Sequence, residues 1–192
     1  RDYRPPFDSW SQFERDGRAH APTNLRGEVE IAHWYEGWDV ARVCPGTDFF
    51  RGLTRDLVLG CLRLGCDVVQ IDNFPCGNVA EPCYDPAHGH PLGFGPWRAQ
   101  AWARLLGELH DQARQVNPDA ILATEGICEV FIPWVELYDQ RAGNMEYFGH
   151  WGRGLPMGGE PVPLFGFIYS GYIGAYLAAY PECNRPEVLY WT

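Results

Sequence analysis

The chain has 192 residues, enough for one domain with a real core. All 15 basic residues are Arg against 25 acidic ones, giving a net charge of −10. The lack of Lys argues against lysine Schiff bases, pyridoxal enzymes and a P-loop, and the acidic balance argues against nucleic acid and anionic membranes as partners.

Residues 1–27 are polar and hold Pro5-Pro6, Pro22 and many charges, and we read them as an irregular segment with a short helix over 8–15. Residues 28–35 alternate like a strand. The acidic, aromatic loop Glu36-Gly-Trp38-Asp39 follows. Asp48 is placed to cap a helix over 49–64, with Gly65 as its stop. A strand over 67–72 follows at once, and such a short helix-to-strand link marks α/β architecture. Residues 73–97 read as one long loop, too rich in Trp, Phe, Cys and His for disorder.

A helix over 98–116 is predicted from Trp102, Leu105, Leu106, Leu109 and Ala113, which recur with helical spacing on one face. Asn117-Pro118 ends it. The next strand covers 120–125, and residues 127–142 look like an amphipathic helix. Residues 143–162 are Gly-rich. A buried strand over 162–169 and a small apolar helix over 172–180 complete the series. The repeated βα order predicts an α/β fold with the strands at 28–35, 67–72, 120–125 and 162–169 parallel and adjacent in that order.

Two of these strands end on carboxylates. Val68, Gln70 and Asp72 share one face of the 67–72 strand, and Glu125 closes the 120–125 strand. A buried carboxylate is costly unless it is paired, so Asp72 is either a satisfied structural residue or a functional one. Two acids at neighbouring parallel strand ends can flank one glycosidic bond, one meeting the oxocarbenium-like centre and the other protonating the leaving oxygen. The same placement also serves metal binding or plain hydrogen bonding.

His88-Gly-His90 lies in the middle of the long loop. Cys76, Cys83, His88 and His90 are possible zinc ligands, but their spacing matches no finger pattern. Hydrogen bonding to substrate hydroxyls, or pinning of the loop, competes with that reading. The seven Cys contain no C-x-x-C pair. Only Ser9, Ser11 and Ser170 occur, and none sits in G-x-S-x-G, so a serine hydrolase is not expected. With aromatics at 15%, a neutral polar ligand such as a sugar suits this charge balance.

Four stretches resemble a known family: Val43-Cys-Pro-Gly-Thr-Asp-Phe-Phe50, the Asp72 strand, Cys83-Tyr-Asp-Pro-Ala-His-Gly-His-Pro-Leu-Gly-Phe-Gly95 and Asn117-Pro-Asp-Ala-Ile-Leu-Ala-Thr-Glu-Gly126. They are similar to a glycoside-hydrolase-like barrel family of bacteria, itself distantly similar to endo-α-N-acetylgalactosaminidases and α-amylase-type barrels. The Cys-to-His-Gly-His-Pro block is its most specific part. The resemblance implies a catalytic Asp after the fourth barrel strand, matching Asp72, and an acid/base Glu after the fifth, matching Glu125. Asn73-Phe74-Pro75 departs from the small or apolar stretch usual after that Asp.

The resulting expectation is one (β/α)8 TIM-barrel domain over 1–192, partial in this chain, because such barrels take about 250 residues. It would be a retaining glycosidase acting on an α-linked carbohydrate, with Asp72 as nucleophile and Glu125 as acid/base, the carboxyls about 5–5.5 Å apart. Gln70, Cys83, His88, His90, Trp38 and Trp97 would shape the sugar site, and no metal or cofactor is assigned. A non-catalytic carbohydrate-binding barrel and a metal-dependent barrel hydrolase are the alternatives. The start at Arg1 and the end at Leu-Tyr-Trp-Thr192 lead us to expect part of a longer chain; no signal peptide or membrane-spanning run is seen.

Overall fold

A computed structural model describes residues 9–34, 38–72, 81–126, 128–139 and 164–176. Two compact units emerge, Arg1–Gly60 with Val79–Leu109, and Cys61–Asn78 with His110–Thr192.

The first unit opens with the short helix α1 (Ser9–Gln12), continued by helical turns to His20. Strands β1 (Ile31–Trp34) and β2 (Trp38–Ala41) then pair antiparallel, from Ile31 opposite Ala41 to Trp34 opposite Trp38. This corrects the expected parallel role of 28–35. Parallel pairing needs a crossover of about a dozen residues, whereas these strands are close enough in sequence for a hairpin. Helix α2 (Asp48–Arg63) follows. Its cap is Thr47 rather than Asp48: the Thr47 Oγ1 accepts from the Phe50 N–H at 3.3 Å, and Asp48 sits in the first turn beside Arg51. Helix α3 (Trp97–Val116) begins in this unit. Trp102, Leu105, Leu106 and Leu109 are all buried, as their spacing predicts.

The second unit holds the last turns of α2 and α3 and a four-stranded parallel sheet. Gly65 ends α2 at φ +96°, donating to Leu62 while Cys66 donates to Cys61, the paired bonds that close a helix on a left-handed residue. The sheet runs β3 (Val68–Ile71), β4 (Ile121–Thr124), β5 (Leu137–Asp139), β6 (Gly174–Tyr176), each beside its predecessor in sequence. The Val68–Ile71 and Ile121–Thr124 strands pair parallel and in register, as expected for the second and third predicted strands.

Beyond Thr124 the expected elements change type. Residues 129–134 form a 3₁₀ segment, not the start of a long helix, and Pro133 lies inside it; proline has no N–H to carry an α-helix on. Strand β5 then follows inside the stretch read as helix. The apolar run at 162–169 contains a helix, α4 (Leu164–Tyr169), and the strand comes one element later, as β6. A short apolar run has no periodicity that separates a buried strand from a helix.

Glu136 ties the N-terminal edge of this sheet together. Its carboxylate accepts from the Leu122 N–H at 2.8 Å and from Arg114 at 2.6 Å, and its carbonyl accepts from the Gly174 N–H. The Arg114 pair is partly exposed and screened by solvent, so the backbone bond carries most of the effect. Glu136→Ala should lower stability by about 1–2 kcal/mol. Urea unfolding would read this as a lower midpoint at unchanged slope.

Candidate functional site

In the second unit, the strand register brings a row of polar side chains to the C-terminal edge of the sheet. Ile71 pairs with Thr124, and the next residues along are Asp72 and Glu125. Thr124 pairs with Tyr138, and one step on stand Glu125 and Asp139. Asp139 pairs directly with Tyr176. Four neighbouring strands thus offer Asp72, Glu125, Asp139 and Tyr176 in sequence. Partners in a parallel ladder project to the same face, and the strands lie about 4.8 Å apart. The C-terminal edge is where α/β folds place their reactive groups.

Burial differs along the row. Asp72 is exposed, Glu125 is half-buried, and Asp139 is only 2% exposed. Gln70 lies two residues before Asp72 on the same face and donates its Nε2–H to the Asp72 carboxylate at 3.4 Å. The Gln70 Oε1 in turn accepts from the Tyr176 hydroxyl at 2.5 Å. An amide fixed at both ends holds its N–H toward the carboxylate. Thr124, fully buried, donates its hydroxyl to the Gly126 carbonyl at 2.5 Å and so shapes the chain around Glu125.

Asp139 and Tyr176 went unseen in the sequence, although the signal for Asp139 was there. Val135-Glu-Leu-Tyr-Asp139 is a short, largely apolar run that closes on an acid, as do the stretches ending at Asp72 and Glu125. The amphipathic pattern of 127–142 masks it.

The first unit contains the other singled-out residues. Cys44, Cys83, His88 and His90 converge there, one donor atom from each lying within 4.8 Å of all the others. Cys44 and Cys83 are fully buried and both are free thiols. The Cys44 Sγ lies 3.3 Å from the His90 Nε2, and the Cys83 Sγ lies 3.4 Å from the His88 Nδ1. Burial pushes the Cys44 thiol up to about 12 and holds His90 below the ordinary imidazole value. Trp97 stacks on the His90 ring, centroids 3.6 Å apart and planes 2° apart, and its indole N–H donates to the Gly93 carbonyl. Behind them Arg98, 3% exposed, pairs with Glu81 at 3.0 Å, and Arg42 pairs with the same carboxylate.

Residues 73–80 of the long loop lie outside the described residues. The rest of it, with Cys83, His88, His90 and Trp97, belongs to the first unit, and Gln70 and Asp72 belong to the second. Trp38 opens β2, and its side chain is outside the described residues. Cys76, the fourth candidate ligand, is also outside them, and Cys44 joins the other three instead. Local spacing gave no hint of Cys44, which lies before α2 and far upstream of the loop.

The chain is 29% identical over 132 residues to a "Putative glycoside hydrolase" of Bacteroides thetaiotaomicron, a match covering 66% of this chain and 17% of that protein. Its fold is similar to that of α-N-acetylgalactosaminidase NagBb from Bifidobacterium bifidum. The ligand-free structure gives a TM-score of 0.55 at 16% identity, over 80% of this chain and 23% of that one. The GalNAc complex also gives 0.55, at 15% identity over 81% and 23%. The chain therefore spans less than a quarter of the length of these relatives. The family model described as Domain of unknown function (DUF6259) matches residues 1–180, and the chain belongs to this glycoside-hydrolase-like family.

Proposed function

We propose that this chain carries the catalytic edge of a retaining glycosidase, built on part of a (β/α)8 barrel and acting on an α-linked sugar. The observation that carries the reading is the in-register placement of Asp72 and Glu125 at adjacent parallel strand ends. Retention needs carboxyls about 5–5.5 Å apart, which fits neighbouring strands, whereas inversion leaves about 6.5–9.5 Å for a water. The sequential strand order supports a barrel, because a doubly wound sheet reverses order at its switch point. Asp72 attacks the anomeric carbon and forms a glycosyl-enzyme ester while Glu125 gives its proton to the departing oxygen. Glu125 then takes a proton from water as that water displaces Asp72.

The NagBb complex with GalNAc makes an aryl α-N-acetylgalactosaminide the first substrate to try. Release of 4-nitrophenol from that glycoside, with the α-sugar as first-formed product by NMR, is the expected result. No release from it or from other aryl α-glycosides, with the sugar still bound, would turn the reading to a binding barrel.

Asp139 has a separate role in this scheme. It stands beside Glu125 in the row and is buried, so its carboxyl would act on the sugar through a medium of low dielectric. Asp139→Asn should cost about 10²–10³ in kcat on activated and natural glycosides alike. Equal turnover by this variant and the parent in steady-state assays would assign Asp139 to the fold alone.

A further inference from the structure

We propose that Cys44, Cys83, His88 and His90 form a tetrahedral zinc site that pins the 81–97 segment to the turn before α2. The site lies wholly within the first unit and stands independently of the glycosidase reading. Zinc takes Cys and His donors at about 2.3 and 2.0–2.1 Å, so a sulfur–nitrogen edge of its tetrahedron is about 3.6 Å. The two sulfur–nitrogen separations, 3.3 and 3.4 Å, lie within a few tenths of an ångström of that edge.

The rings are already aimed. The His88 Nε2 lies 3.2 Å from the Ala19 carbonyl, and the His90 Nδ1 lies 2.8 Å from the Pro91 carbonyl. A carbonyl only accepts, so each of those nitrogens carries the hydrogen. The other nitrogen of each ring presents a lone pair to a cysteine sulfur, and a backbone carbonyl behind the ring is the usual outer support of a metal-bound imidazole. Asp85 adds a carboxylate oxygen 3.6 Å from the same His88 Nε2.

The backbone is shaped for the same purpose. The Cys44 carbonyl is held by the Thr47 N–H and hydroxyl, and Cys83 exchanges two backbone hydrogen bonds with Gly93. Gly89 and Gly93 take φ of +73° and +82°, which glycine adopts freely. Gly46 is the close approach: a Cβ there would stand 2.6 Å from the His90 ring. Two separate thiol–imidazole hydrogen bonds would explain each pair. They leave unexplained why both pairs come together within one coordination sphere.

Donor chemistry selects the metal. Two thiolates and two imidazoles in a tetrahedron suit zinc, while calcium and magnesium need oxygen ligands that are not in the set. Two thiolates also neutralise Zn²⁺, so a buried site gains no net charge. Four protein ligands leave no open position, which makes the ion structural and not a catalyst.

The test uses the whole chain, purified with zinc present and dialysed against metal-free buffer under reducing conditions. Elemental analysis should find about one zinc per chain, and replacement by Co²⁺ should give the thiolate charge-transfer and visible bands of a tetrahedral site. Cys83→Ser and His90→Gln should each lower zinc affinity by at least about tenfold, while Cys66→Ser, at an exposed cysteine outside the cluster, should leave it unchanged. His90 is the most accessible of the four, so its variant keeps the test open if Cys83→Ser does not fold. Folded parent protein with neither zinc nor a Co²⁺ charge-transfer band overturns the proposal. A Cys44–Cys83 disulfide in protein kept under reducing conditions overturns it too.

Discussion

Asp72→Asn is expected to abolish turnover of an aryl α-N-acetylgalactosaminide, lowering kcat on the order of 10⁴-fold, while sugar binding persists. The amide has nearly the size of the carboxylate and still reaches the sugar, but it cannot form the glycosyl ester. The hydrogen bond from Gln70 sharpens the expectation. In the parent, Gln70 points an N–H at the Asp72 carboxylate because Tyr176 occupies its oxygen. An Asn at 72 can meet that N–H with its own carbonyl, so the strand end should keep its shape and the loss should be chemical. Calorimetric titration with the free sugar would separate the two effects. Full activity in the variant ends the glycosidase reading, and lost binding with unchanged kcat would make Asp72 a binding group.

How much of this was legible in the sequence depended on the kind of signal. Helix α3 was read nearly to the residue, because Trp102, Leu105, Leu106, Leu109 and Ala113 repeat over several turns and all are buried. The strands ending near Asp72 and Glu125, and their parallel pairing, were legible because β-branched or apolar runs stand next to clear stops at Gly65 and Asn117-Pro118. The shorter elements were not. Leu137–Asp139 and Gly174–Tyr176 are three-residue strands, too brief for alternation to show, and their pairing energy comes from neighbours that no local pattern reveals.

The candidate sites divide along the same line. Asp72 and Glu125 end recognisable strands, so the sequence pointed to them. Asp139 and Tyr176 end strands that were read as helix, and the row they extend exists only once the register is known. Cys83, His88 and His90 stand out in the sequence as sugar contacts, as loop residues or, with Cys76, as zinc ligands. The chain brings Cys44 to them from before α2, an association set by tertiary folding and invisible to spacing rules.

Glu125→Gln should divide substrates by their leaving groups. The acid must deliver a proton to the glycosidic oxygen, and a sugar leaving group departs as a poor alkoxide without it. A 4-nitrophenolate needs little such help. Proton transfer contributes about 10²–10⁴-fold, so kcat/KM on natural α-glycosides should fall by that amount. The first step on activated aryl glycosides should fall far less. Glu125 is half-buried and Asp72, at the neighbouring strand end, is exposed. The second step needs Glu125 as base, so with the activated substrate the glycosyl-enzyme should accumulate, giving a burst of nitrophenol followed by slow turnover. A small external nucleophile such as azide needs no base and should restore the rate, trapping an α-glycosyl azide. Equal loss on both substrate types, with no burst and no rescue, would remove Glu125 from the acid's place and shift attention to Asp139, its neighbour in the row.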